Sequence, residues 1–135
     1  MSTLNEVCEA IARRVGTSYE KIDARAYPAP GSMTLPGFFL EVASFPYRTT
    51  ARKTDYQLRG TILVADAITA EASRQLRDLI ERDAIPAAIE GVDRTLGGLV
   101  DQVTVFDVQE MTQDEYQAVG AWGALLTIQI MGRTS

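Results

Sequence analysis

A chain of 135 residues suffices for one domain with its own core and needs neither disulfides nor a metal to fold. An apolar share of 46% and a charged share of 23% are those of a globular protein and exclude a disordered or fibrous chain. Thirteen Lys and Arg against eighteen Asp and Glu give a net charge of −5, which argues against a module that grips nucleic acid through its phosphates.

Leu4, Val7, Cys8, Ile11, Ala12 and Val15 recur at helical spacing and predict a helix from Leu4 to Val15. Thr3 and Glu6 form a capping-box signature, and Gly16 is expected to stop the helix. Cys8 lies on the apolar stripe, so a buried, inert thiol is expected there. A single cysteine makes no intrachain disulfide. Asn5, Glu6 and Glu9 interrupt any leader-like apolar run, and no stretch reaches the roughly 18 apolar residues of a membrane span. The expectation is a cytoplasmic chain without membrane contact.

Pro28, Pro30, Gly31 and Pro36 make Thr17–Pro36 mostly loop, with a short strand near Asp23–Tyr27 that its prolines keep out of the sheet centre. Gly37–Ser44 reads as a strand bounded by Pro36 and Pro46. Phe45–Lys53 reads as a polar, exposed loop carrying the densest basic stretch, Arg48, Arg52 and Lys53 beside Tyr47. Phosphate contact, solvation, and docking to an acidic protein partner are the three readings of that loop. In Asp55–Ala65, Tyr56, Leu58, Ile62 and Val64 alternate with Asp55, Gln57, Arg59 and Thr61, as in a strand with one covered face.

A second helix runs from Thr69 to Arg82, with Thr69 as N-cap and Ala72, Leu76, Leu79 and Ile80 as its buried stripe. Pro86 restarts a short helix with Ala88 and Ile89, ended by Gly91 or by the Gly97–Gly98 pair. Val103–Glu110 and Trp122–Met131 complete the strands, joined through a connection at Asp114–Gly120 that holds Tyr116. Trp122 is read as core, with an interface anchor as the alternative. The order of elements predicts a single α+β domain over residues 1–135, mainly an antiparallel sheet with helices packed on one face.

With no histidine and one cysteine, the chain lacks the residues for imidazole-based triads and for zinc or iron–sulfur sites of the usual spacing. It has neither a G-x-x-x-x-G-K-S/T loop nor a G-x-G-x-x-G turn. Asp101, Asp107, Glu110, Asp114 and Glu115 are the carboxylates left for catalysis. A two-residue period puts Asp101 and Asp107 on one face and Glu110 on the other, and surface acids are the expected role. No enzyme, catalytic residue, metal or cofactor is expected.

The layout resembles the tail terminator proteins of long-tailed bacteriophages over nearly the whole chain. An N-terminal helix is followed by Ala26-Tyr27-Pro28-Ala29-Pro30, then by the Pro-led strand Pro36-Gly37-Phe38-Phe39-Leu40-Glu41-Val42. The long strand Tyr56–Val64, the helix Glu71–Glu81, Ile85-Pro86-Ala87-Ala88-Ile89 and the closing pair of strands continue the match. The resemblance is one of layout, without a diagnostic chemical fingerprint. It implies a homo-oligomeric, typically six-fold ring on the head-proximal end of the tail tube in the virion neck, assembled in the host cytoplasm. Such a ring ends tube polymerisation and offers a docking surface to the head–tail connector, with DNA passing through the lumen. Its partners are other copies of itself, the tube protein and the connector. The loop from Phe45 to Lys53 and the Asp114–Gly120 connection are the expected contact segments, with Tyr47, Arg48, Arg52, Lys53 and Tyr116 as interface residues. Three other readings stand beside it, in this order: a head–tail connector, neck subunit or tube protein; a small ligand-binding or regulatory α+β domain; and a carboxylate-dependent enzyme resting on Asp101, Asp107 or Glu110.

Overall fold

A computed structural model describes residues 3–28, 34–44, 53–82, 85–91 and 93–134. Helix α1 (Leu4–Ser18) opens on the expected capping box: the Glu6 N–H donates to the Thr3 hydroxyl at 3.1 Å, and the Thr3 N–H donates to the Glu6 carboxylate at 3.3 Å. Gly16 does not stop it. The helix runs on to Ser18, because a glycine ends a helix by turning to positive φ, and Gly16 keeps a negative one. A Cβ placed on Gly16 would touch Ala24 at 3.6 Å, so this turn lies directly against the next strand.

That strand is β1 (Asp23–Ala24), a two-residue edge piece parallel to β2 (Gly37–Ser44). The remaining pairings are antiparallel, in the spatial order β1-β2-β3-β5-β4. Strand β3 spans Lys53–Ala65 and β5 spans Trp122–Thr134; each is longer than its alternation suggested. Lys53 is therefore the first strand residue and not the end of the preceding loop, since the extended β5 supplies Thr134 as its backbone partner.

Helix α2 (Ala70–Arg77) is capped by Thr69, whose hydroxyl accepts from the Ala72 N–H at 3.0 Å. It continues as a π-helical turn, Asp78–Arg82, and the predicted stripe faces inward, with Ala72, Leu76 and Leu79 buried and Ile80 half-buried. Helix α3 (Ile85–Glu90) carries Pro86 in its first turn, where a missing N–H costs nothing. Arg14 of α1 holds its far end: the guanidinium donates to the carbonyls of Ile89 at 3.0 Å, Glu90 at 2.8 Å, and Asp93. A cation on the last carbonyls of a helix suits the helix dipole as well as the hydrogen bonds.

Between β4 (Gln102–Glu110) and β5 the expected connection is a helix, α4 (Gln113–Val119). Thr112 and Glu115 form a second capping box, and Gly120 closes the helix in the left-handed region at φ +82°. None of its residues is buried, so no apolar stripe announced it in the sequence.

One face of the sheet carries the core. Phe38, Ile62 and Ala124 form one row, Leu40, Gly60 and Leu126 the next, then Leu58 and Ile128, then Tyr56 and Ile130; all are buried. Val7, Ile11 and Val15 of α1, Leu76 of α2 and Ile85 and Ile89 of α3 join them in one cluster. The molecule is thus α+β, as the order of elements predicted, with α1, α2 and α3 on a single face. Cys8 is buried in that cluster, and burial, helped by the neighbouring Glu9, pushes its thiol up to about 11. The opposite face departs from strict alternation. Phe39, Thr61 and Leu63 are buried there, at the end where the Tyr116 hydroxyl pins α4 to the carbonyl of Asp66 at 2.7 Å.

Candidate functional site

The expected interface residues do not form one cluster. Tyr47, Arg48 and Arg52 lie outside the described residues. Lys53 starts β3, whereas Tyr116 belongs to α4 at the other end of that strand. At about 3.3 Å per residue, Lys53 and Tyr116 are roughly 40 Å apart along β3. Tyr116 is half-buried against the core and uses its hydroxyl internally.

The carboxylates are separated by a bulge. Val105 pairs with Ile128 and Asp107 with Thr127, leaving Phe106 as the extra residue. The bulge breaks the two-residue period on which a common face for Asp101 and Asp107 depended. Asp107 falls on the open face, while Glu110, paired with Ala124, stands on the helix-covered side. Glu115 is engaged in the α4 capping box. No group of three metal-ligating side chains occurs among the described residues.

A groove of about 740 Å³ lies between the Tyr19–Ile22 turn, Pro36, and the α2 and π-helical wall bearing Glu71, Arg74 and Asp78. It is open, and its walls carry charges of both signs.

The features best placed to meet another chain are the two sheet edges. On β4 the first half of the outer edge is already occupied. The Val103 N–H donates to the Arg94 carbonyl at 2.8 Å, and the Val105 N–H donates to the Glu90 carboxylate at 2.9 Å. After the bulge, Phe106–Glu110 has no neighbouring strand among the described residues, and Phe106 is 77% exposed. On β2 the converse holds: β1 covers Gly37 and Phe38, and the outer edge of Leu40–Ser44 is open among the described residues, with Val42 50% exposed. An unprotected strand edge with an exposed apolar side chain is a template for pairing. Sequence reasoning missed both edges because strand order cannot be read from alternation. The Phe106 bulge had one signal, an aromatic that falls out of phase with Val103 and Val105.

No protein-family model matches the chain, and no curated protein matches it.

Proposed function

We propose that this chain is a non-catalytic structural subunit of a phage tail, which closes with copies of itself into a ring on the head-proximal end of the tail tube, ends tube polymerisation and presents a docking surface to the head. The observation that carries this reading is the open second half of β4 with the exposed Phe106 beside it, an edge suited to recognition and not to catalysis. The mostly antiparallel α+β fold agrees with the fold that the resemblance in layout implies. A net charge of −5 suits a subunit past which DNA slides without sticking.

The groove beside the π-helical turn favours a second reading, a small ligand-binding domain, since π-helical turns recur at functional sites. The mass of the purified chain in solution, alone and then mixed with tail tubes from the same source, separates the readings when the mixture is viewed by electron microscopy. Rings, or protein seated on one end of each tube, are expected. A monomer that ignores the tubes and joins isolated heads would replace this reading with a head–tail connector. A monomer that does neither would move the function to the groove.

A further inference from the structure

We infer that successive copies of this chain join by antiparallel pairing of the open edge of β2, Leu40–Ser44, with the open edge of β4 in the next copy, Phe106–Glu110, placing Val42 opposite Val108. This names the contact surface within the ring reading and rests on the self-association in it. Strand directions alternate across β2, β3, β5 and β4, so β4 of one copy laid beside β2 of the next meets it antiparallel, as an ordinary continuation of the sheet.

The backbone groups are in place. The Arg25 N–H bonds the Phe38 carbonyl from outside the sheet, which sets the outward phase of β2 and turns the N–H and C=O of Leu40 and Val42 outward. On β4, the Met111 N–H bonds inward to Gly123, so those of Val108 and Glu110 point outward. Among the described residues nothing occupies them. The register also keeps the faces continuous. Leu40 and Val42 share the helix-covered face with Leu126 and Ile128, and so do Val108 and Glu110. Pairing Val42 with Val108 sets one apolar side chain against another on that face.

The guarded halves decide the stagger. Across one copy, Leu40 is level with Val108 and Val42 with Val105. Matching Val42 to Val108 therefore slips each copy by about two residues along the strands relative to its neighbour. That slip brings the open stretches together and leaves the stretches held by β1, Arg94 and Glu90 outside the contact. A slip repeated in the same sense makes a heterologous contact, which propagates or closes into a ring instead of stopping at two copies.

Charge disfavours a contact of β4 with β4: Phe106–Glu110 carries Asp107 and Glu110 and no Lys or Arg, so two such edges would set like charges together.

Two single-cysteine chains test the contact, Val42→Cys and Val108→Cys, each carrying Cys8→Ala so that no other thiol is present. Opposed residues of an antiparallel pair have Cα atoms about 5.5 Å apart at the hydrogen-bonded positions, within disulfide reach. Oxidising the two full-length chains together is expected to give at least ten times more linked dimer than oxidising either alone. Residue 42 of one copy meets residue 108 of another, and neither meets its own counterpart. In a separate chain, Val108→Pro removes an outward N–H that the β4–β5 ladder does not use, and is expected to weaken self-association at least tenfold with an unchanged circular dichroism spectrum. If that variant unfolds, the cysteine pair still decides. Rings that form without a mixed disulfide would overturn the edge pairing and leave the ring reading standing. A mixed disulfide in chains that never cap a tube would support the pairing and overturn the tail reading. Protection of position 108 by tubes, without a mixed disulfide, would overturn the pairing and assign the edge to the tube protein.

Discussion

The two faces of this sheet are made by the same strands, yet one is buried along its middle strands and the other is mixed. On the helix-covered side, Leu58, Ile62, Ala124, Leu126, Ile128 and Ile130 are wholly buried. On the other side, Glu41, Arg59, Thr127 and Asp107 form a polar row across four strands, and Gln57 donates to Gln129 at 3.1 Å. Burial returns on that side at Phe39, Thr61 and Leu63, beside the end where α4 is anchored. The covered face holds the core, whereas the other face and the open halves of the β2 and β4 edges contribute little to it.

The largest expected effect comes from breaking the sheet that both faces share. Gly123 pairs with Leu63 next to a register shift, and a Cβ added there would lie 1.6 Å from the Ile62 carbonyl oxygen. That neighbour is backbone of the central strand and cannot swing aside. Gly123→Ala is expected to destabilise the fold by more than about 4 kcal/mol, or to abolish folding, in urea denaturation. A loss below about 1 kcal/mol would mean that β3 and β5 separate there more easily than their pairing implies.

Next in size is a direct contrast of the faces on one strand. Leu126→Ala removes a fully buried side chain from the middle of the covered face and is expected to cost about 2–5 kcal/mol. Thr127→Ala, one residue on and facing the other way, is expected to cost less than about 1 kcal/mol. Matched denaturation curves measure both. Equal losses would erase the distinction between a buried and an open face.

How much of this arrangement was legible depended on which signal each element carries. Gly37–Ser44 was read with its observed bounds because Pro36 and Pro46 punctuate a strand-forming run. Thr3 and Glu6 marked the start of α1, while Gly16 misled, since a glycine's presence does not reveal the sign of its φ. The same capping signature at Thr112 and Glu115 went unread, because α4 buries no side chain and so shows no helical stripe. Thr61 alternates onto the polar side as expected yet is buried, since its cover belongs to tertiary structure. The candidate site was the least legible part. Its edges exist through the order β1-β2-β3-β5-β4, and its carboxylates are separated by a bulge that no period of two contains.

Cys8 gives the finest test, because it reports the sealing of the covered side through a single proton. The unfolded chain releases the thiol proton near the ordinary value of 9.0, whereas burial holds it in the folded chain to about 11. Between those values the folded state binds more protons, so stability from this group is intact below pH 9 and falls as pH rises through the window. Two pH units correspond to at most about 2–3 kcal/mol. Tyr27, whose hydroxyl donates to Glu9, is also raised and titrates in the same direction, so the comparison needs a Cys8→Ala chain to isolate the thiol. The expected result is a shallower loss of stability above pH 9 in Cys8→Ala than in the parent. Thiol reagents should modify the parent at neutral pH no faster than it unfolds. Rapid labelling of the folded parent, or identical pH slopes in the two chains, would mean that water reaches the α1 side of the core and that the covered face is less sealed than its burial indicates.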